Sequence, residues 1–388
     1  MAGRTASELV TIAGGSPLYI YDKKAMQDRV AELKQQMSSD LKIHYAIKAN
    51  PMPAVVGHMA GLVDGLDVAS HQEMRVALSS GMTADAISYA GPGKRIEELK
   101  AATVAGVTVN VESELELLRL YQCFDELAVR PKVAFRVNPD FELKTSGMKM
   151  AGGAKPFGID AERLPSILSK LDASKVDFQG FHIFSGSQNL KPEALIEAHN
   201  KTFALAERLA REVPVPVSHV NIGGGLGIPY FPGERALDID SIAGNLHHLM
   251  EMRSSYLKSA DIVMELGRYL VGEAGAYICQ VTDKKISRGC TYLVTNGGLH
   301  HHLANSGNFG QVIRKNYPVV IANRLEGDAE TVEVVGPLCT PLDIVGGKLN
   351  LPQAKVGDYI TVLQSGAYGA TASPQQFLGH EHVKELLI

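Results

Sequence analysis

The sequence predicts an α/β protein, a (β/α)8 TIM barrel followed by a C-terminal β domain that also takes the N-terminal strand. Three observations predict it. Eight short apolar or alternating runs recur over residues 43–266, with a helix candidate in every gap. After residue 267 long helical patterns become rare, and β-like runs separated by Gly, Asp and Asn take over. At 388 residues the chain is also too long for one small core. The expected domains are residues 23–266 for the barrel and 1–22 plus 267–388 for the β domain. A doubly wound open sheet is the alternative for the first half, because strand count from one sequence is soft.

The strand candidates run in order: 43–47 (IHYAI), 66–69 (LDVA), 87–90 (ISYA), 107–111 (VTVNV), 132–138 (KVAFRVN), 178–184 (FQGFHIF), 218–223 (SHVNIG) and 261–266 (DIVMEL). Helical spacing falls between them, as in Ser113–Tyr121, Glu193–Glu212 and Asp240–Leu257. Ser70 and Glu73 fit a capping box. In the second half, "GAYICQVTDKKIS", "CTYLVTN", "ETVEVVGPLC" and "GDYITVLQSGAYG" read as strands, and His380–Leu387 as a short helix. "SPLYIYD" is a strand expected to pair with the β domain.

Composition excludes several classes. The net charge of −4 leaves no basic footprint for nucleic acid. No apolar run is long enough to span a bilayer, so no membrane partner is expected. Residues 1–20 hold Arg4 and Glu8 and no compact apolar core, so no secretory leader is expected. Cys123, Cys279, Cys290 and Cys339 form no CxxC pair, which suits a reducing cytoplasm. His300-His301-His302 resembles a metal cluster, yet adjacent residues do not present three ligands to one ion without special geometry, and no metal is expected.

In a TIM barrel, function gathers where strands end. Lys48 closes the first strand candidate, the second carries Asp67, the sixth carries His182 before "SGSQ", and the seventh runs into Gly223–Gly227. The eighth ends in Glu265 followed by Gly267-Arg268. Three glycines after a strand let backbone N–H groups approach an anion, although for a lone GGG a tight turn needing positive φ is the favoured reading. A phosphate site at strands seven and eight, a lysine at strand one and a carboxylate at strand eight together suggest pyridoxal phosphate. The lysine amine forms a Schiff base with its aldehyde, and the carboxylate keeps the pyridine nitrogen protonated.

"YAIKANP", "HIFSGSQ", "NIGGGLGIPY", "ELGRYL", "VVGPLCTPLD" and "SGAYG" appear in that order across the chain. Together they resemble the motifs of the fold-type III pyridoxal-phosphate decarboxylases, the group of diaminopimelate and ornithine decarboxylases. The resemblance implies that Lys48 carries the cofactor with Asp67 close by. It implies that Ser187, Gly223, Gly224, Gly225, Gly267, Arg268 and Tyr368 hold the phosphate, and that Glu265 pairs with the pyridine nitrogen. Cys339 is the implied catalytic acid, reaching the site of a partner subunit in a homodimer with shared sites. Arg268, Tyr317 and Asp343 are the implied substrate contacts.

Two departures stand out. The family's strand-six motif reads His-x-Gly-Ser with the His stacked on the cofactor ring. The matching position here is Phe184, with His182 two residues earlier, and either could cover the ring. Diaminopimelate decarboxylases carry a Glu after the Cys for the distal amino group, where this chain has Thr340, and "QVIRKNYP" holds Arg314 and Tyr317 at a shifted spacing. Free meso-diaminopimelate is therefore expected to be a poor substrate, since its second ammonium would lose a buried partner. "HIFSGSQNL" and "LHHHLANSGNFGQVIR" look closer to a divergent branch that includes decarboxylases of secondary-metabolite and exosortase-associated clusters, some acting on carrier-linked amino acids. The expected function is pyridoxal-phosphate-dependent amino-acid decarboxylation in the cytoplasm. The rivals are a racemase on the same scaffold, which would place an Arg at the ring nitrogen where Glu265 stands, and a catalytically silent partner-binding homologue.

Overall fold

Eight parallel strands close into a ring in the computed structural model, which describes residues 1, 3–142, 148–149, 152–231, 233–309 and 314–388. In barrel order they are Leu41–Ala46, Gly65–Val68, Ile87–Tyr89, Thr108–Val111, Lys132–Asn138, Asp177–Ile183, His219–Asn221 and Asp261–Leu266. The last pairs with the first, with Glu265 opposite His44, which closes the TIM barrel and rules out the open sheet. All eight strand candidates correspond to barrel strands.

The side chains explain the closure. Ile43 and Tyr45 on the first strand are fully buried, as are Val109, Phe135, Phe181 and Ile262 elsewhere in the ring. The alternate positions are unusually polar: His44, Asp67, Ser88, Asn110, Arg136, His182 and Glu265 are all buried. Barrel interiors are ordinarily filled by branched apolar residues, so these side chains need partners.

Helices occupy Pro53–Ala60, His71–Ser79, Ile96–Ala105, Glu114–Leu127, Pro192–Ala210 and Ile239–Glu251, among others. Ser70 Oγ accepts the Glu73 N–H at 3.1 Å, while the Glu73 carboxylate reaches back one residue further than a standard box, to the Ala69 N–H.

The chain divides into two compact units: residues 28–228 with 235–269, containing the barrel, and residues 1–27 with 229–234 and 270–388. The second holds an eight-stranded mixed sheet in which Val319–Ile321, Tyr359–Val362, Gly275–Ser287, Cys290–Thr295, Ala329–Val335 and Ile344–Pro352 lie in that order. The long strand Gly275–Ser287 turns into Cys290–Thr295 through Arg288 and Gly289, both at positive φ as a tight hairpin requires. The N-terminal strand Leu18–Tyr21 pairs antiparallel with Gly275–Ser287, joining this sheet as expected.

Three local readings are corrected. Lys48 lies beyond its strand, which ends at Ala46, in a single 3-10 turn spanning Ile47–Ala49. His380–Leu387 is not helical: Lys384–Leu387 is a strand, because a free edge of Leu18–Tyr21 offers it parallel pairing. Pro229–Glu234 groups with the β unit, where Tyr230 packs 4.7 Å from Tyr317 and Gln364 donates to the Pro229 carbonyl. A helix at Ala6–Ile12, capped by Thr5 and Glu8, precedes the first strand.

Candidate active site

The C-terminal mouth of the barrel brings together the charges found at the strand ends. The 3-10 turn turns Lys48 toward the eighth strand, where its Nζ lies 3.3 Å from Glu265 Oε1. Two-fifths of the Lys48 side chain remains exposed, whereas Glu265 is buried. Glu265 Oε2 is 3.1 Å from His182 Nε2. Burial pushes Glu265 toward its neutral form, but the Lys48 charge, the His182 hydrogen bond and the Arg136 charge outweigh it and hold the carboxyl well below the usual range. The site therefore pairs an accessible primary amine with a buried, ionised carboxylate.

His182 and Phe184, which alternation puts on one face, have different neighbours. His182 is bonded to Glu265, with Nδ1 buried and without a hydrogen-bond partner among the described residues. The Phe184 ring lies 5.4 Å below Lys48 Nζ and meets the His182 ring edge-on.

The glycine run is shaped by its surroundings. Gly223 and Gly225 have φ of +71° and +100°, and a Cβ on Gly224 would sit 1.9 Å from the Glu265 carbonyl oxygen. Only bare backbone fits so closely against the eighth strand. Ser187 stands in a two-residue strand paired with Met148–Lys149. Gly267, whose Cβ would meet Ala49 at 3.0 Å, leads into the short helix Arg268–Val271.

A second buried cluster lies on the same rim, unforeseen from sequence. Glu112 accepts from Arg136 Nη1 at 2.9 Å, from Gly91 N–H and from Gly158 N–H, while Lys94 pairs with Glu116. Its only signal in the sequence is a carboxylate ending the otherwise apolar run "VTVNVE".

The remaining predicted residues lie in the β unit. Cys339 is exposed, on a turn between Ala329–Val335 and Ile344–Pro352. Asp343, expected among the substrate contacts, is buried and accepts the Leu299 and Leu338 N–H groups at 2.6 and 2.8 Å, which anchors that turn. Tyr317 is buried against Tyr230 and Phe231. Tyr368 stands at φ +54° with its ring 6.2 Å from that of Phe309. Arg314 is half-buried and bonds Ser306 and Asn316; residues 310–313 of the same motif lie outside the described residues. The His300 and His301 rings lie tilted with centroids 3.7 Å apart while His302 turns to Ser365, and among the described residues no group of three side chains is arranged to hold a metal.

An exposed lysine amine above an aromatic ring, beside a buried carboxylate and a glycine turn in a parallel barrel, suits a carbonyl cofactor. His182 Nδ1 and Asp67 Oδ2, buried without hydrogen-bond partners among the described residues, add polar atoms that a bound group would satisfy. Pyridoxal phosphate fits this donor set. The comparisons agree: residues 23–272 match the pyridoxal binding domain of the pyridoxal-dependent decarboxylases. The chain is 32% identical over 383 residues to the L-glutamyl-[BtrI acyl-carrier protein] decarboxylase of Niallia circulans, covering 96% of this chain and 88% of that protein. It is 32% identical to the diaminopimelate decarboxylase of Archaeoglobus fulgidus, with the same coverage of each. It is 27% identical to the 2-[(L-alanin-3-ylcarbamoyl)methyl]-2-hydroxybutanedioate decarboxylase of Staphylococcus aureus, covering 94% and 92%. The crystal structure of diaminopimelate decarboxylase from M. jannaschii in complex with L-lysine superposes with a TM-score of 0.87 at 26% identity, covering 98% of this chain and 89% of that one. The protein belongs to the pyridoxal-dependent decarboxylases, and its cofactor is pyridoxal phosphate.

Proposed function

We propose that the protein decarboxylates an α-amino acid carried on a larger scaffold, an acyl carrier or a biosynthetic intermediate, and not free meso-diaminopimelate. The observation that carries this reading is Thr340. It follows the exposed Cys339 where diaminopimelate decarboxylases place a Glu, and its Oγ is used to accept the Leu342 N–H at 3.3 Å. A neutral, locally bonded hydroxyl offers no counter-charge to a second ammonium. The likeness to a carrier-linked glutamyl decarboxylase and to a decarboxylase of a modified amino acid supports the same choice.

Lys48 would hold the cofactor, with Glu265 at its ring nitrogen and Asp67 and His182 beside it. Ser187, Gly223–Gly225, Gly267, Arg268 and Tyr368 would take its phosphate. Bound there, pyridoxal phosphate supplies the electron sink for the electrons released when the Cα–carboxylate bond breaks. Glu265, ionised beside Lys48 and His182, is suited to stabilising a proton on the ring nitrogen. Arg268 and Tyr317 would orient the substrate, and Asp343 would act indirectly by fixing the Cys339 turn. Cys339 of the partner subunit would return a proton to Cα as general acid, which makes a cytoplasmic homodimer the functional unit. Among the described residues no helix is long and apolar enough to cross a membrane.

The test is mass spectrometry of diaminopimelate, ornithine, lysine, arginine, glutamate and carrier-linked glutamate incubated with protein and cofactor in heavy water. A carrier-linked product lighter by CO₂, with one deuterium at Cα, is expected. Diaminopimelate turnover matching that of a dedicated enzyme would overturn the reading, and deuterium gained with the carboxylate kept would mean racemisation.

A further inference from the structure

The barrel has a second polar opening, at the end where its strands begin. A cavity of about 310 Å³ lies there. Its rim carries the exposed Lys42–Asp261 ion pair and Asp85, and the side chains of His44, Ser88 and His219 line it further in. His44 projects into the barrel interior because Gly65 on the next strand leaves the space: a Cβ there would lie 2.3 Å from His44 Nε2.

From the cavity a hydrogen-bonded chain runs inward. His44 Nδ1 is 3.3 Å from Asp67 Oδ1, the same oxygen accepts from Ser88 Oγ at 2.5 Å, and Ser88 Oγ accepts from Asn110 Nδ2 at 3.1 Å. Asp67 Oδ2 is buried and has no hydrogen-bond partner among the described residues. A carboxylate oxygen left in that state is costly unless something else bonds it. Asp67 is in register with Ala46, two residues before Lys48, and His44 is in register with Glu265. The network thus links the cavity to the strands that bear the lysine site.

We propose that His44 is a positioning residue of the cofactor site, acting through Asp67 from the opposite mouth of the barrel and fixing Oδ1 so that Oδ2 is left for a polar group of bound pyridoxal phosphate. The imidazole is faced by Asp67 from the second strand and by the His219 ring at 6.3 Å from the seventh, and Glu265 on the eighth strand is its register neighbour. Lys42, Asp64, Asp85 and Asp261 face it across the cavity.

The test measures binding of pyridoxal phosphate to the full chain, and the pH dependence of the bound cofactor's absorbance, in wild type, His44→Phe, His44→Gln and Gly65→Ala. Loss of one hydrogen bond to a buried carboxylate predicts affinity about tenfold weaker in His44→Phe, with the spectral pH profile moved by about one unit. His44→Gln, which keeps an N–H for Asp67, should recover most of the affinity. Gly65→Ala, whose Cβ would crowd the His44 ring and also meet the Ala86 carbonyl oxygen at 2.5 Å, should lose at least as much affinity as His44→Phe. Circular dichroism checks folding, and His44→Asn, too short to reach Asp67, replaces His44→Phe if that variant does not fold. Folded variants with wild-type affinity and pH profile would overturn the proposal, as would equal losses in His44→Gln and His44→Phe. A wild-type protein that binds no cofactor would refute the cofactor site itself, a separate and recognisable result.

Discussion

Lys48 and Glu265 form an ion pair whose two members have unequal environments, one two-fifths exposed and the other buried. That inequality leaves the amine accessible for carbonyl chemistry while the carboxylate stays ionised. Lys48→Ala should abolish both turnover and the absorbance of a lysine-linked cofactor. Cys339→Ala should keep that absorbance and lose turnover by about 10²-fold or more, the usual scale for a general acid. Mixing the two inactive variants should restore turnover that neither shows alone, because one hybrid site then holds both native residues; activity assays on the refolded mixture check it. Unrestored activity would remove the shared-site dimer. At this scale the sequence was legible where a charge interrupts an apolar run, as at Lys48, Asp67 and Glu265. His44 carries no such signal, because a histidine inside "IHYAI" reads as one more strand residue; only its alternation with Ile43 and Tyr45 puts it on the other face. Asp343 is less legible, since nothing local tells a ligand carboxylate from one that accepts backbone N–H groups, as it does from Leu299 and Leu338.

The elements were more legible than their ends. Each barrel strand combines a buried apolar face with turn residues on both sides, a pattern local enough to survive without tertiary information. Lys384–Leu387 fails that test: "KELL" favours a helix by propensity, and only pairing with Leu18–Tyr21, distant in sequence, makes it a strand. The helix Ala6–Ile12 carried a readable signal in Thr5-x-x-Glu8, a capping box whose two hydrogen bonds both form. The seventh strand and the turn after it depend on backbone contact instead of side chains. Gly224→Ala forces a Cβ to within 1.9 Å of the Glu265 carbonyl oxygen. The strand must then shift, and a cost of about 3 kcal/mol or more is expected, on the scale of severe overpacking. Thermal unfolding measures the stability loss, and cofactor absorbance reports any displacement of Glu265. A variant as stable as wild type would mean that this turn is looser than its packing indicates.

The whole molecule carries buried histidines in both compact units, and their linkage to folding shapes its acid tolerance. His199, on the helix Pro192–Ala210 of the barrel unit, has both ring nitrogens buried and unpartnered among the described residues. Burial lowers it to about 4. His302, in the β unit, is lowered by burial to about 3. Its Nδ1 accepts the Asn305 N–H and its Nε2 faces Ser365 Oγ, an arrangement that suits the neutral ring. In the unfolded chain both would titrate near the ordinary value of about 6.5. Between that pH and about 4 the unfolded state binds protons that the folded state refuses, so stability is full above 6.5 and is lost as the pH falls. Each histidine contributes a slope of about 1.4 kcal/mol per pH unit in that window. Melting temperatures measured from pH 7.5 to 4.5 should therefore decline steadily below about 6.5. His199→Leu, which removes one titrating group and two unpaired polar atoms, should flatten the decline for the barrel unit and leave the β unit's unchanged, as read by hydrogen exchange in each. A wild-type stability flat down to pH 4.5 would mean that these imidazoles reach water or partners in solution.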